Sequence, residues 1–173
     1  LSDWFSQPET LAAGTHQDHR VCGKSGCTET GHDEITFDKW LASSTSGGKR
    51  ELRVGGNGSS ETYGDPLTAK SGKYVLDGGS YYLKTGVEGF DSDVTIEHPI
   101  QITGNVTICL NGQTIQSSAE GMPVFEVVSG TLTLTDCGST GSAGKVAHAS
   151  GVTGCGVEVN GGEFNLYGGK ITH

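Results

Sequence analysis

The sequence predicts an all-β protein built as a right-handed parallel β-helix, a single-stranded solenoid, with an irregular N-terminal cap. Glycine occupies 29 of the 173 positions and apolar residues make up only 33% of the chain, a composition that favours short strands and frequent turns. The apolar residues alternate with polar ones at a period of two, as they do in strands with one buried face. A strand–corner–strand pattern also recurs along the C-terminal part of the chain, which is typical of repeat proteins.

The recurring pattern is visible in three segments: residues 106–115, 124–134 and 156–166. Their Asn-Gly or Ser-Gly corners begin at Asn111, Ser129 and Asn160. The intervals of 18 and 31 residues between these corners predict one rung of a coil, followed by a rung enlarged by the Gly/Ser-rich stretch 138–154. We expect the three corners to form one row along the coil axis. An antiparallel hairpin at Asn111-Gly112 is the alternative, because Asn-Gly also forms two-residue hairpin turns.

The chain divides into three zones. Residues 1–32 are polar and carry histidine and cysteine, residues 33–72 form an irregular capping region, and residues 73–173 form the coils. We expect Trp40 to seal the open N-terminal end of the tube, since an exposed first coil is a sticky edge. One of the neighbouring Tyr81 and Tyr82 is expected to face solvent. The repeat is still running at His173, so we expect further coils beyond it.

The net charge of the chain limits the classes of partner that it can bind. A formal net charge of −9 and an isoelectric point near 5.0 argue against nucleic acid and anionic membranes, since both select a basic surface. No apolar run approaches the ~20 residues of a membrane-spanning helix. An acidic, solvated surface is typical of extracellular proteins, so we expect a secreted protein with no membrane span in this stretch.

The N-terminal zone contains a predicted metal site with the spacing His19-x2-Cys22-x4-Cys27-x4-His32. Imidazole nitrogens and thiolates are the ligands that tetrahedral Zn²⁺ prefers, so we expect a structural zinc here, with His16 as an alternative ligand. A Cys22–Cys27 disulfide and an unstructured segment are the alternatives.

The other three cysteines follow the strand pattern. Cys109, Cys137 and Cys155 are scattered among apolar strand residues, and we interpret them as small buried hydrophobes. Cys109 stands between Ile108 and Leu110, so the face to which it points is ambiguous.

Two resemblances add to these expectations. The metal-site spacing is similar to that of a retroviral-type zinc knuckle, although the order of ligand types differs, which puts a nucleic-acid role in doubt. The coil region resembles the large repetitive cell-surface proteins of Gram-positive, Clostridia-type gut bacteria, in the stretches 81–83, 106–115, 130–137 and 160–171. That resemblance implies a β-helix of the pectate-lyase type, display at the cell wall, and partners such as host mucin glycans or immunoglobulins.

We expect a binding or adhesion module that engages a host or matrix partner, and we assign no catalytic residue. The alternative is the N-terminal part of a polysaccharide lyase or glycoside hydrolase whose active site lies on later coils. Asp91 and Asp93, with Glu88 and Glu97 nearby, are a possible calcium site as in lyases of this fold. A lyase also needs a basic residue beside the calcium, and residues 85–144 contain no lysine or arginine.

The tetrapeptide Gly64-Asp65-Pro66-Leu67 carries one further alternative. It is similar to a sequence at which some secreted proteins cleave themselves. We expect an ordinary turn instead, because proline presets the backbone and aspartate caps it.

Overall fold

The computed structural model describes residues 16, 18–21, 34–56, 64–84, 89–138 and 143–172. Throughout these ranges the regular secondary structure is β and no α-helix is present. Accordingly, the described residues contain no helix with the length and apolar character needed to cross a bilayer. The prediction of an all-β chain is confirmed for this part of the molecule.

The N-terminal half begins with five strands: β1 (His19–Arg20), β2 (Glu34–Ile35), β3 (Lys39–Ser46), β4 (Lys49–Gly56) and β5 (Asp65–Pro66). β1 pairs with β2, β3 with β4 and β4 with β5, all antiparallel. The β3–β4 connection is the two-residue turn Gly47-Gly48, whose φ angles of 57° and 77° suit a tight hairpin that only glycine forms without strain. Residues 39–56, which the sequence assigns to an irregular cap, are therefore a regular hairpin.

The C-terminal part repeats a set of three strands. The first rung contains β6 (Tyr74–Leu76), β7 (Gly79–Leu83) and β8 (Val94–Ile96). The second contains β9 (Ile100–Ile102), β10 (Asn105–Cys109) and β11 (Thr114–Ser117). The third contains β12 (Phe125–Val127), β13 (Thr131–Thr135) and β14 (Lys145–His148). The fourth contains β15 (Val157–Val159), β16 (Glu163–Leu166) and β17 (Lys170–Ile171).

Each rung gives one strand to each of three parallel sheets. Sheet A contains β6, β9, β12 and β15, and sheet C contains β8, β11, β14 and β17. Sheet B contains β7, β10, β13 and β16, and β3, β4 and β5 extend it beyond β7. Every strand pairs in parallel with the equivalent strand of the next rung. The prediction that parallel strands dominate residues 73–173 is thus confirmed for the described residues, and β10 and β11 on either side of Asn111 belong to different sheets rather than to a hairpin.

The predicted row of corners is wrong in one position. Ser129 and Asn160 lie between sheets A and B, whereas Asn111 lies between sheets B and C. The rungs are also longer than the predicted 18 residues, since Asn105 pairs with Thr131, 26 positions on, and Thr131 pairs with Glu163, 32 positions on. The stretch 138–154 is not a plain insertion, because it contains β14.

A column of glycines forms the corner before sheet B. A Cβ atom on Gly104 would lie 1.8 Å from the Asp77 carbonyl oxygen, one on Gly130 would lie 2.3 Å from the Gly104 oxygen, and one on Gly162 would lie 2.3 Å from the Gly130 oxygen. Successive rungs therefore approach closely here because no side chain separates them.

The inside of the coil is apolar, and sheet B also buries its outer face. Alternation places Leu41 in the interior core, whereas its neighbours on β3 join a second group on the outside of the sheet. We call this group the outer cluster; it consists of Phe37, Trp40, Ala42, Tyr82 and Cys109, all at most 1% exposed. Trp40 therefore covers the outer face of sheet B instead of closing the end of the tube. Tyr81 and Tyr82 are both buried, at 4% and 1% exposure, so the expectation that one faces solvent is wrong.

Candidate metal centre

Four side chains that can ligate a metal meet on the outside of sheet B: His16, His19, Cys109 and Cys137. One potential ligand atom from each lies within 4.8 Å of all the others. His16 Nε2 is 3.1 Å from Cys137 Sγ, His19 Nε2 is 3.3 Å from Cys109 Sγ, and the two sulfurs are 3.4 Å apart. Ligands of a tetrahedral Zn²⁺ with ordinary Zn–N and Zn–S bonds are about 3.3–3.8 Å apart, so this donor set has the composition and nearly the spacing of a zinc site.

The histidines come from a segment that lies across sheet B. We call residues 16, 18–21 and 34–37 the N-terminal strap. The antiparallel pairing of β1 with β2 holds the strap together, and the Asp18 carboxylate accepts a hydrogen bond of 2.9 Å from the backbone N–H of Phe37. Val21 and Ile35 pack against the outer cluster. These contacts present both imidazoles to the sheet.

Aromatic rings fix the orientation of the two imidazoles. His19 is stacked on Phe37, with ring centroids 4.7 Å apart and planes 22° apart. His16 lies on Tyr82 at 4.9 Å and 21°, and meets Phe37 edge-on at 5.0 Å. The rings limit rotation, so the nitrogens stay directed at the sulfurs.

The cysteines come from neighbouring rungs of sheet B. Cys109 is the last residue of β10 and points outward, between the inward Ile108 and Leu110. Cys137 lies two positions after β13, at the corner leading to sheet C, where it is exposed. Parallel stacking therefore brings together two sulfurs that are 28 positions apart in sequence.

Two polar side chains hold the corner that carries Cys137. The Asp136 carboxylate accepts backbone N–H bonds from Gly112 at 2.8 Å, Gly138 at 3.2 Å and Gly144 at 2.7 Å. Asn111, with a φ of 52°, donates from its amide to the Leu83 carbonyl at 3.1 Å and accepts from the Cys137 thiol at 3.4 Å. Both side chains fix the backbone next to a sulfur.

The two thiols differ in acidity because they share a hydrogen bond. The Cys109 thiol donates to the Cys137 sulfur, and this bond, reinforced by His16 and His19, lowers the pKa of Cys137 well below its usual range. The same bond, followed by burial, raises the pKa of Cys109. The Cys137 thiol is therefore the more acidic of the two, and the thiolate is the form in which cysteine binds metals.

Two of the four residues in this cluster, both of them histidines, were also candidate ligands from the sequence. His19, and His16 as the alternative ligand, belong to the cluster. Cys22, Cys27 and His32 lie outside the described residues. Cys109 and Cys137, interpreted from sequence as buried hydrophobes, supply the sulfur ligands, and Cys137 and Cys155 are in fact exposed.

The carboxylates considered for calcium have other partners. Asp91 pairs with Arg50 at 2.6 Å and accepts a hydrogen bond from the Ser43 hydroxyl at 2.7 Å. Asp93 accepts from the backbone N–H of Thr114 at 3.3 Å. Glu88 lies outside the described residues. The Asp91 contacts link the β3–β4 hairpin to the coil, and the Asp93 contact joins two rungs of the coil.

Asp65 and Pro66, from the possible self-cleaving tetrapeptide, form the exposed strand β5 against β4.

The chain matches no family model, no curated protein and no solved structure. The resemblance to Gram-positive surface proteins therefore stays a prediction.

Proposed function

We propose that His16, His19, Cys109 and Cys137 bind one structural Zn²⁺ that fastens the N-terminal strap to sheet B. The donor set supports zinc, since two imidazoles and two thiolates are the ligands of a closed tetrahedral site. The geometry supports a fastening role, because the histidines come from the strap and the cysteines from two rungs of the coil. Four protein ligands leave no position for a reacting water, so the metal holds structure rather than acting on a substrate.

We also propose that the coil is a right-handed parallel β-helix. Connections between parallel strands of one sheet are right-handed in about 98% of cases. Each rung joins one strand of a sheet to the next by such a connection, and the three-sheet repeat supports this assignment.

On this scaffold we propose a binding module, displayed outside the cell, that engages a host or matrix partner such as mucin glycans or immunoglobulin. The observation that carries the proposal is the stack of three parallel sheets in register over successive rungs, because stacked repeats present long, rigid faces to extended partners. The net charge of −9 supports partners other than nucleic acid.

The binding proposal is tested by passing mucin glycans and immunoglobulin over the immobilised chain. Specific binding persists when salt is raised from about 0.15 M to about 0.5 M, where surface charge attraction is largely screened. An unrelated acidic protein is the control. Release of new sugar ends from polysaccharides, without retention of either partner, would instead favour the lyase or hydrolase alternative.

The metal proposal is tested by elemental analysis of the protein purified under reducing conditions. We expect about one equivalent of zinc, lost in Cys109→Ser and Cys137→Ser. Cys155→Ser is the matched control, because Cys155 is also a free, exposed thiol but lies outside the cluster. Cys22→Ser and Cys27→Ser separate the two ligand sets: zinc loss in these variants alone would support the set predicted from sequence spacing.

A further inference from the structure

We propose that Cys109 and Cys137 form a peroxide-sensitive latch, in which oxidation to a disulfide releases the metal and frees the N-terminal strap. This inference rests on the metal site proposed above and adds its regulation. Two observations carry it: the two sulfurs are neighbours, and one of them is accessible. Both also belong to the proposed zinc site.

The geometry of the two thiols permits a direct bond. Their sulfurs lie 3.4 Å apart, and a disulfide needs about 2.05 Å, so an approach of about 1.4 Å is required. Cys137 lies in a corner outside β13, so rotation of its side chain toward Cys109 does not require breaking the pairing of β10 with β13.

Accessibility decides the order of the reaction. Cys137 is exposed and Cys109 is fully buried, so an oxidant from solvent meets Cys137 first. The buried Cys109 sulfur lies 3.4 Å from it. The second thiol is therefore already in place to react with whatever forms at the first.

The chemistry balances with hydrogen peroxide as the oxidant. Both sulfurs are thiolates when they ligate the proposed zinc. The Cys137 thiolate attacks one peroxide oxygen, the O–O bond breaks, and the departing hydroxide takes a proton from solvent to give water, leaving a sulfenic acid. The Cys109 thiolate then attacks the Cys137 sulfur; the S–S bond forms, the S–O bond breaks, and the departing hydroxide takes a second proton from solvent to give the second water. Two sulfurs lose two electrons in total, and one peroxide is reduced to two waters.

Disulfide formation removes two of the four ligands at once. His16 and His19 alone give a two-coordinate site, which cannot hold Zn²⁺ in its closed tetrahedral geometry. The packing of the described strap residues on the outer cluster remains. Oxidation of the two cysteines on sheet B therefore loosens the N-terminal strap.

The test uses the full chain with Cys22→Ser, Cys27→Ser and Cys155→Ser, so that only Cys109 and Cys137 remain. Zinc content is measured first, then equimolar peroxide is added, and released zinc and intact mass are followed. We expect release of the bound zinc, a mass lower by two hydrogens, a peptide linking Cys109 to Cys137, and reversal by a phosphine reductant. The wild-type chain is mapped in parallel in case the triple variant folds poorly.

The outcomes separate this inference from the metal proposal. Zinc that is present but retained after peroxide, or released with added oxygen and no Cys109–Cys137 link, overturns the latch and leaves the metal site standing. A well-folded chain that holds no zinc at these residues overturns the metal site, and the latch with it. Adding Cys137→Ser to the background must abolish both the link and the mass change.

Discussion

The imidazole of His16 is stacked on the phenol ring of Tyr82, with centroids 4.9 Å apart and planes 21° apart, while its Nε2 atom lies 3.1 Å from the Cys137 sulfur. Tyr82 therefore links two parts of the molecule: it belongs to β7 of the coil and supports a ligand from the strap. Burial raises the pKa of Tyr82 to about 12, so this ring stays neutral at physiological pH. A neutral, immobile ring beneath a ligand fixes the angle at which that ligand meets the metal.

Replacing Tyr82 tests this support. Tyr82→Leu removes the aromatic surface, and we expect zinc affinity to fall about tenfold, a typical effect of losing a group that orients a ligand. Tyr82→Phe keeps the ring and is the matched control, so its affinity should stay close to wild type. Competition with a chromophoric zinc chelator measures both values. Equal losses in the two variants would show that the hydroxyl, rather than stacking, matters.

Removing the metal should loosen the strap and spare the coil. Chelation takes away the link between the histidines of the strap and the cysteines of sheet B, while the apolar core of the coil lies on the other face of the sheet. We expect amide hydrogen exchange to accelerate at least about tenfold in β1, β2 and the Phe37 N–H, with β10 and β13 unchanged.

Cys137→Ser should reproduce that exchange pattern without a chelator. Acceleration across all three sheets would mean that the metal stabilises the whole fold, as it does in small zinc domains. No acceleration anywhere would show that packing on the outer cluster holds the strap unaided.

The strands of the coil could be predicted because their signals are local. Alternation in Val106-Thr107-Ile108 and Thr131-Leu132-Thr133 marks the inward face directly, and glycine marks the corners. The length of a rung could not be read in the same way. Asn-Gly at 111 and Ser-Gly at 129 look alike in sequence, yet they form different corners, because similar local turn chemistry serves different connections.

The residues of the candidate metal cluster were harder to predict because they are distant in sequence. His19 lies 90 positions from Cys109, and His16 lies 121 positions from Cys137. Spacing rules detect ligands within one short segment, so they paired His19 with nearby cysteines. The direction of Cys109 was ambiguous in the sequence, and the structure resolves it by placing Cys109 on the outer face, under the strap.

Acidification should weaken the polar contacts on the outside of sheet A. The Lys73 ammonium, 2.5 Å from a Glu126 oxygen, lowers the pKa of Glu126, and hydrogen bonds from Gln101 and Asn160 act in the same direction. Because the pKa of Glu126 is lower in the folded protein than in the unfolded chain, its carboxylate stabilises the fold at pH values above the unfolded pKa of about 4.3. This stabilisation is lost as the pH falls through the pKa of Glu126 in the folded protein.

Glu126→Gln should therefore destabilise the protein at pH 7 and have a much smaller effect near pH 3. Urea unfolding at the two pH values measures the difference. Glu163→Gln is the control, because Glu163 is an exposed carboxylate whose change should stay within about 0.5 kcal/mol. An equal loss at both pH values would attribute the effect of Glu126 to packing rather than to charge.

The glycine column before sheet B gives the sharpest test of the stacking. Gly130 has a φ of 72°, and a Cβ there would lie 2.3 Å from the Gly104 carbonyl oxygen; Gly151 has a φ of 80° and open space around it. Alanine at either position meets the same left-handed strain of about 1–2 kcal/mol. Only Gly130→Ala also forces two rungs apart, which should cost about 1–3 kcal/mol more.

In urea unfolding, Gly130→Ala should have a lower midpoint urea concentration than Gly151→Ala. The slope of the unfolding free energy against urea concentration should be the same for both variants. The comparison removes the backbone contribution, because both variants share it, and leaves the steric one. A changed slope would indicate that Gly130→Ala alters how much surface unfolds, and would call for measuring exchange in β10 and β13. Equal midpoints would mean that the corner relaxes freely, and that pairing within the sheets, rather than contact between glycine backbones, sets the distance between rungs.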